Sequence, residues 1–450
     1  VFPLPQMKDR SVRVLGLGPA GRAAADALAE SGARVTVWDD DAARREGVRH
    51  PAKGPRASLE GLDGIVLCDG GVAGIAKALL PQAKAARIPV LTDLDLFSAA
   101  IEALPEDARP KVIGVTGAAG KSVTTSLIAH VLRANKGKPI LGGSDVPCLA
   151  LPMAGPEATY VMELPVSRLS AARKFRCDIS VMLGLGTCGE RQGLDTALRA
   201  VMRVFRHHAP GDAAVIGVDD GLGQKICTAL QSGDAAKVGA ARVIPVSGEA
   251  SLGHGVFALS GLAYSSQHGK TQPLGDFSRA TALAGPHLNQ DAAAAIAACL
   301  TLDVAPPLIM RALYSYQGLP GRFETIGSEG RILYIDDSRS RCARSVEMAL
   351  AGCSEVFWIG SREVAAKVLG QAPSLRGAYV VGSGKAIRGA SLHSDLPSAL
   401  GAARREARAY ADATPGAAPV ILYSPGCASD PAEFRKLIGE GSETRQAQHG

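Results

Sequence analysis

The sequence predicts an α/β protein of three domains, each built on a mainly parallel sheet. Three observations lead there. Short apolar runs alternate with Ala-rich helical stretches along the chain, the pattern of successive βαβ units. Two glycine turns, Gly16-Leu17-Gly18-Pro19-Ala20-Gly21 and Thr116-Gly117-Ala118-Ala119-Gly120-Lys121-Ser122, each follow an apolar run and open a helix. The 450 residues exceed what one core organises, and proline-bearing breaks at 105–110 and at Pro306-Pro307 set limits at 1–104, 105–305 and 306–450.

In the first block, residues 12–15 form a strand that enters the first glycine turn, and a helix runs to about Glu30. Residues 33–38 form the second strand, which ends in Asp39-Asp40-Asp41; residues 64–68 and 88–91 give two more. The second block opens with a strand at 112–116 and the second glycine turn, then continues with strands at 159–164, 179–183 and 214–218. Residues 257–275 read as one hairpin about the polar turn Gln267-His268-Gly269-Lys270. A helix over 288–300 is ended by Pro306-Pro307, because proline lacks a backbone donor and restricts its predecessor. The third block repeats the doubly wound pattern with strands at 332–335, 356–359, 378–381 and 420–423, and the polar residues 442–450 are expected to fray.

Composition excludes several classes of function. Hydrophobic residues at 46% and charged residues at 20% suit a soluble chain with large cores. The net charge of +6 is scattered, with no basic stripe interleaved with aromatics, so nucleic acid is not expected as a partner. No apolar run is long enough to span a membrane, and residues 1–7 carry no basic-then-apolar leader. Nine dispersed cysteines without a CxxC pair predict reduced thiols, hence a cytoplasmic protein, taken here as a monomer.

The second glycine turn carries the chemistry. Helix N-terminal amides and small residues let the backbone wrap a phosphate, Lys121 adds a positive charge, and Ser122 is placed for Mg²⁺. Gly117, Ala118, Ala119, Gly120, Lys121, Ser122 and Val123 are therefore the candidate nucleotide loop. An ordinary glycine turn with a surface lysine is the competing reading; the order strand, GxxGKS, helix favours phosphate. The first turn has the GxGxxG spacing, and Asp39 ends the next strand as a ribose-binding acid would. UDP, NAD and simple tight packing all remain open there.

TGxxGKS resembles the P-loop of the Mur ligases, written TGTNGK[ST]. Four further segments resemble that family in the right order: Met162-Glu163-Leu164, Gly318-Leu319-Pro320-Gly321-Arg322, Asp336-Asp337-Ser338-Arg339 and Ser424-Pro425-Gly426-Cys427-Ala428-Ser429. The last is similar to the SPACAS segment of the D-glutamate-adding branch. The resemblance spans nearly the whole chain. It implies a Rossmann-like N-terminal domain, a central P-loop ATPase-type domain and a Rossmann-like C-terminal domain. It implies ATP and Mg²⁺ as cofactors, with UDP-N-acetylmuramoyl-L-alanine and D-glutamate joined through an acyl phosphate in cytoplasmic peptidoglycan precursor synthesis. Lys121, Glu163, Arg322 and Asp337 would be catalytic, and Ser122 and Glu163 would hold the metal. Gly18, Pro19, Ala20 and Asp40 would take the UDP part; Ser338, Arg339, Ser424 and Phe434 would take D-glutamate.

The chain departs from the family pattern around the second metal. Ala118-Ala119 replaces Thr-Asn, and Ser144 replaces the Asn of GGN. Pro165-Val166 replaces Ser-Ser, and Arg339 replaces the Lys of NDSK. Over 184–192 the expected Asp and His become Cys188 and Gly189, and the carbamylated lysine falls at about Met202. His207 and His208 read as solvated residues at a helix end. Two classes of function follow: a ligase with a rebuilt metal site, or a paralogue that binds nucleotide or UDP-sugar without efficient ligation. Fold alone does not choose between them.

Overall fold

The computed structural model describes residues 2–54, 57–68, 73–184, 194–232, 241–283, 287–370 and 372–446. Its strands form three sheets. The first has four parallel strands, β1 (Ser11–Leu15), β2 (Arg34–Trp38), β3 (Gly64–Leu67) and β4 (Val90–Leu91), in the order β2-β1-β3-β4. The glycine turn after β1 opens the helix Pro19–Glu30, with Gly18 as N-cap and Pro19 at the first position, where its missing N–H costs nothing.

The central strands are β5 (Lys111–Thr116), β6 (Lys138–Gly142), β7 (Ala158–Glu163), β8 (Ile179–Met182), β9 (Ala213–Gly217) and β10 (Arg242–Ser247). They run parallel in the order β10-β9-β8-β5-β7-β6. Every residue of β8 and β9 is buried, as expected of strands covered on both faces, and this is why they read as unbroken apolar runs. The first sheet and the central parallel strands belong to one compact unit of the chain.

A second unit holds an antiparallel meander and the third sheet. The meander is β11 (Gly255–Leu259), β12 (Leu262–Gln267) and β13 (Lys270–Asp276). The third sheet comprises β14 (Glu324–Glu329), β15 (Ile332–Asp336), β16 (Val356–Ser361), β17 (Leu375–Val381), β18 (Ser391–His393) and β19 (Val420–Tyr423). Its order is β14-β15-β19-β16-β17-β18, with only β14 antiparallel to its neighbour. Trp358 on β16 is fully buried on one face of this sheet, against Val346, Val364 and Val368. The long helix Leu396–Ala413 packs on the other through Ala399, Ala403 and Ala407.

Several expectations are corrected. The single hairpin over 257–275 is a three-stranded meander, because Ser260 and Gly261, both at positive φ, make a tight turn between Leu259 and Leu262 inside the run read as one strand. The helix His287–Thr301 stops well before the prolines, with Asp303 at φ 59, and Pro306 instead opens the next helix, Pro306–Ser315. The tail is helical to Gln446 within Pro431–Gln446 rather than frayed from 442. Among the described residues the cysteine expectation holds for seven free thiols, five of them buried, but Cys342 is disulfide-bonded. Among the described residues no helix is long and apolar enough to cross a membrane.

Candidate functional site

The candidate nucleotide loop sits at the carboxyl end of β5. Gly117 at φ +139 carries the chain past the end of β8, where a Cβ would lie 2.8 Å from the Leu183 carbonyl oxygen. The Ala118 amide donates to Gly184 O at 2.9 Å, and Gly120 at φ +78 caps the helix Lys121–Ala134. Both glycines hold left-handed conformations that a side chain would strain. Lys121 turns back over the loop and donates to Gly117 O at 2.8 Å and Ala118 O at 3.2 Å. The Ser122 hydroxyl donates to Glu163 Oε2 at 2.9 Å. Glu163 ends β7, directly beside Val115 of β5 in the ladder. A hydroxyl and a carboxylate at a helix N-terminus form a hard-oxygen pair whose donor chemistry fits Mg²⁺. No group of three or more His, Cys, Asp or Glu suited to a metal occurs among the described residues.

Of the residues that depart from the family pattern, Ser144 is exposed in the turn after β6, and Met202 packs half-buried against the apolar core. Cys188 and Gly189 lie outside the described residues. His208 is buried, not solvated: Nε2 lies 2.7 Å from Ser180 Oγ. Burial, helped by the nearby Arg176 charge, lowers its pKa to about 4, so it is neutral near pH 7. His207 is exposed and donates from Nε2 to Arg173 O at 2.7 Å.

At the first glycine turn, Gly16 has φ +91, and a Cβ on Gly21 would lie 1.6 Å from Gly16 O. That contact explains the third glycine by packing alone. Gly18 and Ala20 are buried and Pro19 is exposed. Asp39, fully buried, accepts from the Leu17 amide at 2.7 Å and from the Asp41 amide at 2.9 Å, and so shapes the turn. The Asp40 carboxylate is engaged by Trp38 Nε1 at 3.3 Å and by the Gly74 and Ile75 amides at 3.1 and 3.2 Å. Three successive aspartates gave no sequence signal for this division of labour.

In the second unit, the carboxyl ends of β15 and β19 bring Asp337, Ser338, Ser340 and Ser424 together. Asp337 accepts from Ser424 Oγ at 2.6 Å and from the Phe323 amide at 3.2 Å. Burial pushes its carboxyl up to about 7, against the opposing pulls of Ser424, the Arg322 charge and Phe323. Ser424 Oγ also lies 3.1 Å from Ser340 Oγ, which accepts from the Gly426 amide at 2.9 Å. Ser338 Oγ is buried without a hydrogen-bond partner among the described residues. The Arg339 amide donates to Gly321 O at 3.0 Å. Phe434 is not brought to this group. Its ring is fully buried against Tyr423, with centroids 4.9 Å apart, in the apolar core beside Leu396–Ala413.

No family profile matches the chain. Among solved structures it is similar to a MurF ligase from Thermotoga maritima in complex with ADP, with TM-score 0.55 and 16% identity over 99% of this chain and 98% of that one. It is similar to MurF from Acinetobacter baumannii, with TM-score 0.57 and 16% identity over 96% and 93%. A UDP-N-acetylmuramate-alanine ligase from Thermotoga maritima gives 0.54 and 17% over 97% and 99%. These likenesses, with the P-loop and the three sheets, define the class: an α/β protein of the three-domain Mur ligase fold. Two relatives named UDP-N-acetylmuramoylalanine–D-glutamate ligase match along almost their whole length. The one from Caulobacter sp. (strain K31) is 31% identical over 100% of this chain and 98% of its own; the one from Phenylobacterium zucineum is 32% identical over 95% and 94%. The chain belongs to the UDP-N-acetylmuramoylalanine–D-glutamate ligase family.

Proposed function

We propose that the protein uses ATP to join D-glutamate to UDP-N-acetylmuramoyl-L-alanine, as a step in peptidoglycan precursor synthesis in the cytoplasm. The observation that carries this reading is the Ser122–Glu163 pair at 2.9 Å beside the Lys121 loop, in a chain with full-length likeness to ligases of that name. The domain limits 1–104, 105–305 and 306–450 go with it.

The residues suit the charges of the reaction. A substrate carboxylate oxygen attacks the γ-phosphorus and ADP leaves; the amine of D-glutamate then attacks the acyl carbon, phosphate leaves, and the ammonium proton passes to a base or water. The loop 117–123 leads into the N-terminus of the helix Lys121–Ala134, where the helix dipole and outward-facing amides suit phosphate oxygens. Lys121 neutralises phosphoryl charge as it develops. Ser122 and Glu163 would hold Mg²⁺, which supplies further charge neutralisation when bound. Gly18, Pro19 and Ala20 offer the first turn to UDP, with Asp40 at its edge. In the second unit, Arg322 and Asp337 are assigned catalytic roles, and Ser338, Arg339 and Ser424 are assigned to D-glutamate. The unpartnered Ser338 hydroxyl is the kind of group that a ligand's polar atom satisfies. Phe434 we retain only as a support for Tyr423.

The test is phosphate release by the purified chain with ATP, Mg²⁺, UDP-N-acetylmuramoyl-L-alanine and D-glutamate, alongside calorimetry with ADP. Release that requires all four components, and loss of ADP binding in Lys121→Ala, are expected. A parent that binds ADP but releases no phosphate above background would leave a nucleotide-binding paralogue instead. A first domain that binds NAD and not UDP would overturn the UDP assignment.

A further inference from the structure

One side chain outside every motif links the nucleotide site to the first sheet. Arg168 lies in the short helix Val166–Leu169 that follows Glu163 and Pro165. Its Nη1 donates to Gly143 O and its Nη2 to Asp93 Oδ2. Both partners are enclosed: the arginine side chain is 14% exposed and the aspartate 4%. Asp93 is the first residue of the helix Asp93–Glu102, at the carboxyl end of β4, where the Thr92–Asp95 capping box fixes the backbone. The Cys148 thiol donates to the same carboxylate oxygen at 3.3 Å.

The other end of the bridge bears on Glu163. Gly143, at φ +108, begins the turn after β6, and its amide donates to Val146 O at 2.7 Å. A Cβ on Gly143 would sit 2.0 Å from Glu163 O and 2.7 Å from Glu163 N, so this glycine packs directly on the Glu163 main chain. A guanidinium presents donors in a rigid fork and serves two acceptors at once, whereas an ammonium is a point charge on a flexible stem.

We propose that Arg168 is a positioning residue: it presses the 142–144 turn onto the main chain of Glu163 and anchors that contact to Asp93 at the ligand edge of the first sheet. The proposal rests on the reading of Glu163 as serving the Mg²⁺–nucleotide site, and it gives that site a mechanical tie to the sheet assigned to UDP.

Arg168→Lys in the full chain is the discriminating variant, since lysine still neutralises buried Asp93 but does not hold Gly143 at the same time. Amide hydrogen exchange of residues 142–146 needs no ligand and is expected to accelerate about tenfold or more. The Mg²⁺ concentration for half-maximal ADP binding, read by calorimetry, is expected to rise ~10-fold, within the range for supports of metal ligands, while ADP affinity without Mg²⁺ stays that of the parent. Should Arg168→Lys fail to fold, the neutral pair Asp93→Asn with Arg168→Gln is read by the same two measurements. A folded variant with parental exchange and parental Mg²⁺ requirement overturns the proposal. A parent whose ADP binding shows no Mg²⁺ dependence overturns the ligase reading and this proposal with it.

Discussion

Asp337→Asn is expected to remove one pH-dependent contribution to the stability of the second unit, so that the variant is less stable than the parent in acid and more stable in base. The parent carboxyl, pushed up to about 7 from an ordinary 3.8, binds its proton more tightly folded than unfolded. Stability that is fully present below pH 3.8 is therefore lost as pH rises from there through about 7, and the loss is complete above that. A shift of about three units corresponds to roughly 4 kcal/mol. The cause is burial, and the group is 7% exposed, so solvent screens little of it. Asparagine removes this titration but brings an NH₂ group to a place where Ser424 Oγ and the Phe323 amide both donate, a mismatch costing about 1–3 kcal/mol. The variant should then be about 2 kcal/mol less stable than the parent at pH 4 and about 2 kcal/mol more stable at pH 8, with the two curves crossing between. Calorimetric melting of both chains across that range reads the difference as a shift of several degrees that changes sign. A difference that stays constant from pH 4 to 8 would refute the argument that burial of the charge controls this carboxyl.

Other outcomes are expected. Gly117→Ala forces a side chain into φ +139 and against Leu183 O at 2.8 Å, so denaturant unfolding should show a loss of about 1–3 kcal/mol, together with weaker ADP binding. Arg339→Ala should raise the KM for D-glutamate about tenfold and leave that for ATP unchanged, because a guanidinium pairs bidentately with a carboxylate; the reverse order in steady-state kinetics counts against the site. Phosphate release should be slower than in relatives with the full metal site. Gly189→His with Met202→Lys should raise kcat, while Met202→Lys alone should lower the melting temperature, because Met202 packs on the core.

The two glycine turns were legible because their chemistry is local. Gly117 and Gly120 hold left-handed conformations within one turn of the helix they open, so residue type and spacing carry the signal. The fully buried strands were legible for the same reason: β19 is apolar from end to end. The edge strands β6, β14 and β18 were not, since half-exposed positions carry no clean alternation. Phe434 shows a different limit. An aromatic near a binding segment reads alike whether it faces a ligand or a core, and only the packing on Tyr423 decides. Arg168 had no signal at all, because its two partners lie 25 and 75 residues away in sequence.

The posture of Lys121 has a consequence for selectivity. With its ammonium resting on the carbonyls of Gly117 and Ala118, the loop is held in shape by its own tenant. On the proposed reading a nucleotide would not have to assemble the cradle; it would have to evict that tenant. Neutral acceptors offer the ammonium nothing better than the two carbonyls it already touches, whereas phosphate oxygens bring a full opposite charge to bonds that are so far charged on the donor side alone. On that reading admission to the loop would be a contest of charge, and a guest that lost its outer phosphates would lose most of its claim to the seat.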